Sequence, residues 1–153
     1  MPALRFKMIF VELFMYEQIN YNNMKVTACI EKQPGAKNCS CFLEESIDKV
    51  RLVGYGTTVD DAVNDLLEAR KEAIEMGRNI PELEFTFKYD LWAFFDKFPM
   101  NATIVAKQIG INASLMRQYI SGNKQPSKKR IEEIQEGIRM IGKQLSDVSL
   151  VRY

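Results

Sequence analysis

The sequence predicts an α+β chain: a small antiparallel or mixed sheet with one packed helix, followed by an all-α segment. Three observations carry this. Apolar residues alternate in twos within several short runs up to about position 89, interrupted by one helical stretch, and then recur in threes and fours. The helix-like runs of the second half have both ends marked by capping and turn residues. The charge balance also changes sign along the chain. From Met100 onward nine Lys/Arg face four Asp/Glu, a net +5, whereas the preceding residues hold 12 basic and 16 acidic side chains, a net −4. Such a division suits one half to phosphates and the other to a basic partner, although solvated surfaces of differing composition give the same count. With 153 residues and 46% hydrophobic content there is material for one ordinary core or two small ones. No run of eighteen apolar residues occurs, so no bilayer-crossing helix is expected.

The elements follow in order. Val26 to Lys32, Cys39 to Glu44 and Val50 to Tyr55 are short, rich in branched or aromatic residues, and separated by polar segments, which predicts three antiparallel strands. Pro34-Gly35 marks the first turn, because proline fixes one backbone angle and glycine accepts a positive one. Val59, Ala62, Val63, Leu66, Leu67, Ala73 and Ile74 then form one helical stripe. Thr58 is placed to cap this helix, Asp60 and Asp61 to meet its dipole, and Gly77 to end it. After Ile80-Pro81, Glu84 to Tyr89 alternates polar and aromatic residues and predicts a fourth strand.

From Asp90 the period is helical throughout. Asp90 caps LWAFFDKF and Pro99 stops it. Asn101 caps ATIVAKQI, which Gly110 ends; Asn112 caps ASLMRQYIS, which Gly122 ends. A last helix, Lys128 to Leu145, aligns Ile131, Ile134, Ile138, Ile141 and Leu145 on one stripe with Lys128, Lys129 and Arg130 outside it.

Two helices joined by so short a turn are what a helix-turn-helix requires, the second helix lying in the major groove with its N-terminal side chains at base edges. Ala106, four residues before Gly110, is the small residue needed at the crossing. Val105, Ile109, Ile111, Met116 and Tyr119 form the inward set. Asn112, Ala113, Ser114, Arg117, Gln118 and Ser121 are left facing outward, and Lys107, Asn123 and Lys124 flank them at places suited to phosphates. Arginine and glutamine recognise guanine and adenine edges through paired hydrogen bonds. The competing use of such a pair is a helical hairpin serving protein contacts alone.

Catalytic readings are weaker. The chain contains no histidine, which removes every histidine-dependent triad and the commonest general base and metal ligand. Glu31, Glu44 and Glu45 fall on or beside strands and are expected to be solvated rather than to hold metal ions. Cys39 and Cys41 share one strand face and, with Cys29, lack the paired spacing of structural zinc sites. Reduced core thiols in a cytoplasm are expected, with no metal and no cofactor. Trp92, Phe94, Phe95 and Phe98, at helical spacing, are expected in a core rather than stacked on bases.

Residues Asn101 to Leu145, with A-x-x-x-G-I and a polar helix ending SGNKQPS, resemble a Cro/repressor-type helix-turn-helix domain. The preceding strands and the signature GTTVDDAVNDLLEA are similar to antitoxins of the HicB family. What the resemblance implies is an incomplete ribonuclease-H-like fold without nuclease activity at 24–89 and a DNA-binding domain at 90–153; residues 1–23 lie outside it as an N-terminal extension. It also implies a small basic HicA-type toxin and operator DNA as partners, and a homodimer or higher homo-oligomer with no membrane partner. Members of that family usually carry a proline-glycine loop after the second strand where this chain has FLEESIDKVRLVGYG, so no toxin-contact residue is carried over. Two readings stand for the residues before the first strand: Met24 is the functional start, with MKVTACIEK opening that strand, or the apolar run Met8 to Tyr16 forms an added helix or strand at a subunit contact. The alternative to an antitoxin is a free-standing transcription regulator whose α/β part senses a small molecule, which predicts a roomy pocket.

Overall fold

The structure, a computed structural model, describes residues 23–152, so the expectations for Met8 to Tyr16 lie outside the described residues. Four strands, β1 (Asn23–Glu31), β2 (Cys39–Leu43), β3 (Val53–Gly56) and β4 (Glu82–Tyr89), form one mixed sheet in the order β3-β2-β1-β4. β1 and β2 pair antiparallel, as do β2 and β3. The helix α1 (Val59–Glu75) carries the chain from β3 back across the sheet, so that β4 joins the far side of β1 in parallel. Four further helices follow: α2 (Leu91–Lys97), α3 (Ala102–Gln108), α4 (Ala113–Ile120) and α5 (Lys128–Ser146). The chain is therefore α+β with a small mixed sheet, and no helix among the described residues is long and apolar enough to cross a membrane.

The third strand starts at Val53 rather than Val50 for a local reason. Ile47 and Val50 exchange two backbone hydrogen bonds of 2.8 Å around Asp48 and Lys49, both at positive φ (46° and 64°). This two-residue turn is of the kind that joins hairpins, built without the usual Asn-Gly pair. The Asp48 carboxylate accepts a 2.9 Å bond from the Asn79 amide and so fastens the turn to the end of α1.

α1 begins where expected, Thr58 Oγ1 accepting from the Asp61 amide at 3.1 Å, and Gly77 closes it at φ 86°. Val59, Ala62 and Leu66 are buried against Val26, Ala28, Ile30, Cys39, Cys41 and Leu43, while Ile74 at the far end of the predicted stripe is exposed. The helix lies over β2 and β3. It sits close because a Cβ on Gly54 would press into the Leu66 amide nitrogen and the Ala62 carbonyl, and one on Gly56 into the Ala62 amide.

A second buried cluster joins Ala106, Ile111, Met116 and Ile134, with Ile109, Tyr119 and Ile138 packed around it. The stripe on α5 is shorter than its spacing predicts: Ile134 and Ile141 are buried, whereas Ile131 and Leu145 are 41% and 64% exposed. Helix length accounts for this. The 19 residues of α5 span about 28 Å, and the 7 and 8 residues of α3 and α4 cover only about 11 Å each. The aromatic residues of α2 divide between the clusters, Trp92 and Ala93 packing with the sheet and Leu91 and Phe95 with the helices. Phe98, expected in the core, is more exposed and lies edge-on to Tyr89 at 5.7 Å.

Hydrogen bonds secure this junction. Asp90 caps α2 through the Ala93 amide at 2.7 Å and also accepts the Lys32 amide at 2.8 Å, while Asp96 accepts the Val59 amide at 2.8 Å. Burial pushes the Asp90 carboxyl above its ordinary value despite these amide donors.

Candidate nucleic-acid interface

The α3–turn–α4 unit is assembled from backbone rules. Asn101 Oδ1 accepts the Thr103 and Ile104 amides at 2.9 and 3.2 Å, fixing the start of α3. At its end Gly110 sits at φ 75°, and the Ile111 amide reaches the Ala106 carbonyl at 2.8 Å, the bonding of a Schellman C-cap. Asn112 Oδ1 then accepts the Ser114 and Leu115 amides at 2.8 and 3.3 Å and starts α4. Gly122, at φ 74°, ends it, and the Lys124 amide folds back onto the Gln118 carbonyl at 3.1 Å. Ala106 and Met116 are fully buried where the helices cross, and Gly137 of α5 leaves the space that the Ile109 side chain fills.

Of the inward set, Val105, Ile111 and Met116 are buried and Ile109 and Tyr119 are half-buried against the second cluster. Of the outward set, Asn112, Ser114, Arg117, Gln118 and Ser121 are exposed, as are Lys107, Asn123 and Lys124. Ala113 differs: it is half-buried and packs with the second cluster, because as the first residue of α4 its Cβ points back toward the crossing. At 100° per residue, Ser114, Arg117, Gln118 and Ser121 share one side of α4 opposite Met116.

Not every polar atom on this face is free. The Asn112 carbonyl oxygen is used by the cap, leaving its NH₂ group for a ligand. Arg117 Nη1 donates to Thr103 Oγ1 at 3.3 Å, which holds the guanidinium beside α3, and Ser121 Oγ donates to the Gln118 carbonyl at 3.2 Å. The N-terminal end of α4 is the open one. Its C-terminal end adjoins the β1–β2 turn: a Cβ on Gly122 would come within 2.7 Å of Pro34 Cγ, and Arg117 and Ser121 line a shallow cleft with Gln33, Gly35 and Ala36. Lys128 and Lys129 at the start of α5 are exposed, whereas Arg130 is ion-paired with Glu133 at 2.7 Å.

Thr103 and the Pro34 turn are parts of this site that sequence reasoning missed. Thr103 lies fourteen residues before Arg117, and Pro34 is farther still from Gly122, so only the folded chain brings either pair together.

The other groups considered for chemistry are engaged separately. Glu44 binds Lys88 Nζ through both oxygens at 2.8 and 3.0 Å, Glu45 meets the Thr27 amide at 3.4 Å, and Glu31 accepts from Gln33 at 3.2 Å. The Lys88 bond, followed by one from the Cys29 thiol, holds the Glu44 carboxyl below its ordinary value. Burial pushes the Cys41 thiol up to about 12, and burial reinforced by Glu44 pushes Cys29 up to about 11, so both are thiols at neutral pH. Among the described residues no three His, Cys, Asp or Glu side chains are grouped to hold a metal ion.

A larger cleft, about 690 Å³, separates the end of the sheet from the helices. Phe87, Tyr89, Trp92 and Phe98 form one wall and Tyr119, Ile131 and Ile138 the other, with Lys32 Nζ resting 4.3 Å over the Trp92 ring at its margin. Comparison with protein-family models, with curated proteins and with solved structures finds no match for this chain.

Proposed function

We propose that the chain is a HicB-type antitoxin and autorepressor: its sheet half covers a small basic RNA-cleaving toxin, and α4 reads operator DNA as the second helix of a helix-turn-helix. The observation that carries the DNA half is the exposed polar side of α4, presented over a Schellman turn by a crossing that buries Ala106 and Met116. Ser114, at the open end of that helix, and Gln118, on the same exposed side toward its other end, are the base-reading candidates, with Arg117 joining them when its bond to Thr103 is exchanged for one to a base. Lys107, Asn123 and Lys124 take phosphates. The four-stranded sheet with α1 laid across it supports an incomplete ribonuclease-H-like toxin-binding part, and its acidic balance suits a basic partner.

Selection of duplexes from a random pool tests the DNA half. The wild type should enrich a palindrome with half-sites about one turn, ~34 Å, apart. A variant carrying Arg117→Ala and Gln118→Ala should lose the preference while keeping salt-sensitive nonspecific binding. Co-expression with the product of an adjacent gene for a small basic protein tests the other half through a stable complex and relief of growth arrest.

The cleft of about 690 Å³ favours a second reading, a free-standing regulator whose effector enters between the aromatic wall and α5. It predicts operator affinity that changes with a small molecule and no toxin gene alongside.

A further inference from the structure

The two edges of the sheet are built differently. β3 is four residues long, and its Tyr55 amide is taken by Asp65 Oδ2 at 2.7 Å, so a side chain of α1 occupies the edge where another strand would bind. β4 is eight residues long, pairs with β1 in unbroken register from Glu82 to Tyr89, and contains neither proline nor bulge. Among the described residues no strand and no side chain bonds to its outer backbone edge. α1 lies over β2 and β3, so the helix-side residues of β4, Leu83, Phe85, Phe87 and Tyr89, are only half-covered. Phe85 and Phe87 stack on each other at 5.6 Å and Tyr89 extends the row. A long aromatic edge left in this state is a template for another strand.

The sequence of β4 is complementary to itself when reversed. With a two-fold axis at Thr86, antiparallel pairing of two copies sets Phe85 opposite Phe87, Leu83 opposite Tyr89 and Glu84 opposite Lys88. Side chains directly opposite share a face, so the aromatic rows meet on the helix side and the charges on the open side. The charge pattern also continues across such a junction. Within one copy Lys25 stands opposite Glu84, and Lys88 is ion-paired with Glu44. The row would therefore alternate Lys25, Glu84, then Lys88 and Glu44 of the second copy. Centring the axis on Phe87 instead would set Glu84 against Asp90. Centring it on Phe85 would use Glu82, which is already bonded to Arg70 at 3.0 Å.

We propose that β4 is the self-association edge of this protein: two copies pair antiparallel about Thr86 into one continuous eight-stranded sheet. The pairing would put two α4 helices in one particle, the number a palindromic operator requires, yet it stands independently of any DNA or toxin, since solution mass reads it whatever the chain binds.

Light scattering with sedimentation equilibrium on the full chain tests the edge. The wild type should have twice the monomer mass of 17.7 kDa. Glu84→Lys and Lys88→Glu, each alone, set two pairs of like charges face to face and should weaken self-association roughly tenfold or more. Mixing these two variants makes both pairs opposite in sign, so a heterodimer should form where neither variant self-associates. Lys88→Glu also places a second acid beside Glu44. If it does not fold, Thr86→Cys replaces it, facing its own copy on the axis and forming an interchain disulfide under mild oxidation. A wild type that is monomeric at tens of micromolar, variants that stay dimeric, a folded mixture that fails to associate, or a folded Thr86→Cys chain that does not cross-link would each overturn the proposal.

Discussion

The sheet half and the helical half both use glycine to bring a helix close, but what each glycine admits is different. At Gly54 the neighbours are backbone atoms of α1, and at Gly56 they are its backbone and the Asp61 Cβ, so the approach of helix to sheet is fixed by main chain on both sides. At Gly137 the neighbour is the Ile109 side chain, whose Cγ2 can turn aside while its Cβ, 2.9 Å from an added Cβ, yields only by a small shift of the helices. The burial follows suit. The sheet half encloses residues from β1, β2 and α1, whereas the second cluster is centred on Ala106, Ile111, Met116 and Ile134. The first region is held by main-chain contacts and a broad buried core. The second is a small unit whose shape depends on its caps and on the crossing of α3 and α4, and whose polar side is exposed.

Substitutions that fill these contacts test the contrast most strongly. Gly54→Val should cost more than about 3 kcal/mol or prevent folding, because neither backbone can withdraw from the new methyls. Urea denaturation followed by circular dichroism measures it. Gly137→Val should cost about 1–3 kcal/mol, since Ile109 Cγ2 can turn aside and the contact with its Cβ is met by a small helix shift, and should weaken DNA binding by disturbing the crossing. An equal penalty at both positions would break the distinction between a main-chain and a side-chain contact.

Smaller effects sharpen it. Asn112→Ala removes two amide bonds from α4 and should lower local stability by about 1 kcal/mol. Native-state hydrogen exchange should register this in α4 amides with little change in those of β1 and β2. Smallest is the Glu44–Lys88 pair on the open sheet face. Its carboxyl is held below the ordinary glutamate value, so its stabilising contribution is complete above that value and fades as pH falls through the lowered one. Glu44→Gln should therefore melt slightly below wild type near neutral pH, and the two curves should converge in acid.

What was legible in the sequence was local. Thr58, Asp90, Asn101 and Asn112 cap the helices they precede, and Gly77, Gly110 and Gly122 turn at positive φ, because each depends only on residues a few positions away. The stripe of α1 was readable for the same reason, apart from its exposed end at Ile74. Features set by distant partners were not readable. The Asp48-Lys49 turn is anchored by Asn79, the exposure of Ile131 and Leu145 depends on how short α3 and α4 are, and Arg117 is restrained by Thr103. Ala113 turns inward because the crossing angle, not its place in a polar run, decides where it faces. In the candidate site the spacing identified which helix presents polar residues. It did not reveal that the Pro34 turn stands beside one end of that helix and leaves the other open.

The most direct measurement is an amide and side-chain NMR titration of the ¹⁵N-labelled full chain with the duplex enriched by selection. The proposed reading predicts that the largest shifts fall on Ser114, Gln118 and the Asn112 NH₂ group, with smaller ones at Lys107, Asn123 and Lys124. Saturable, sequence-dependent shifts confined to the sheet or to the aromatic cleft, with α4 unmoved, would contradict it.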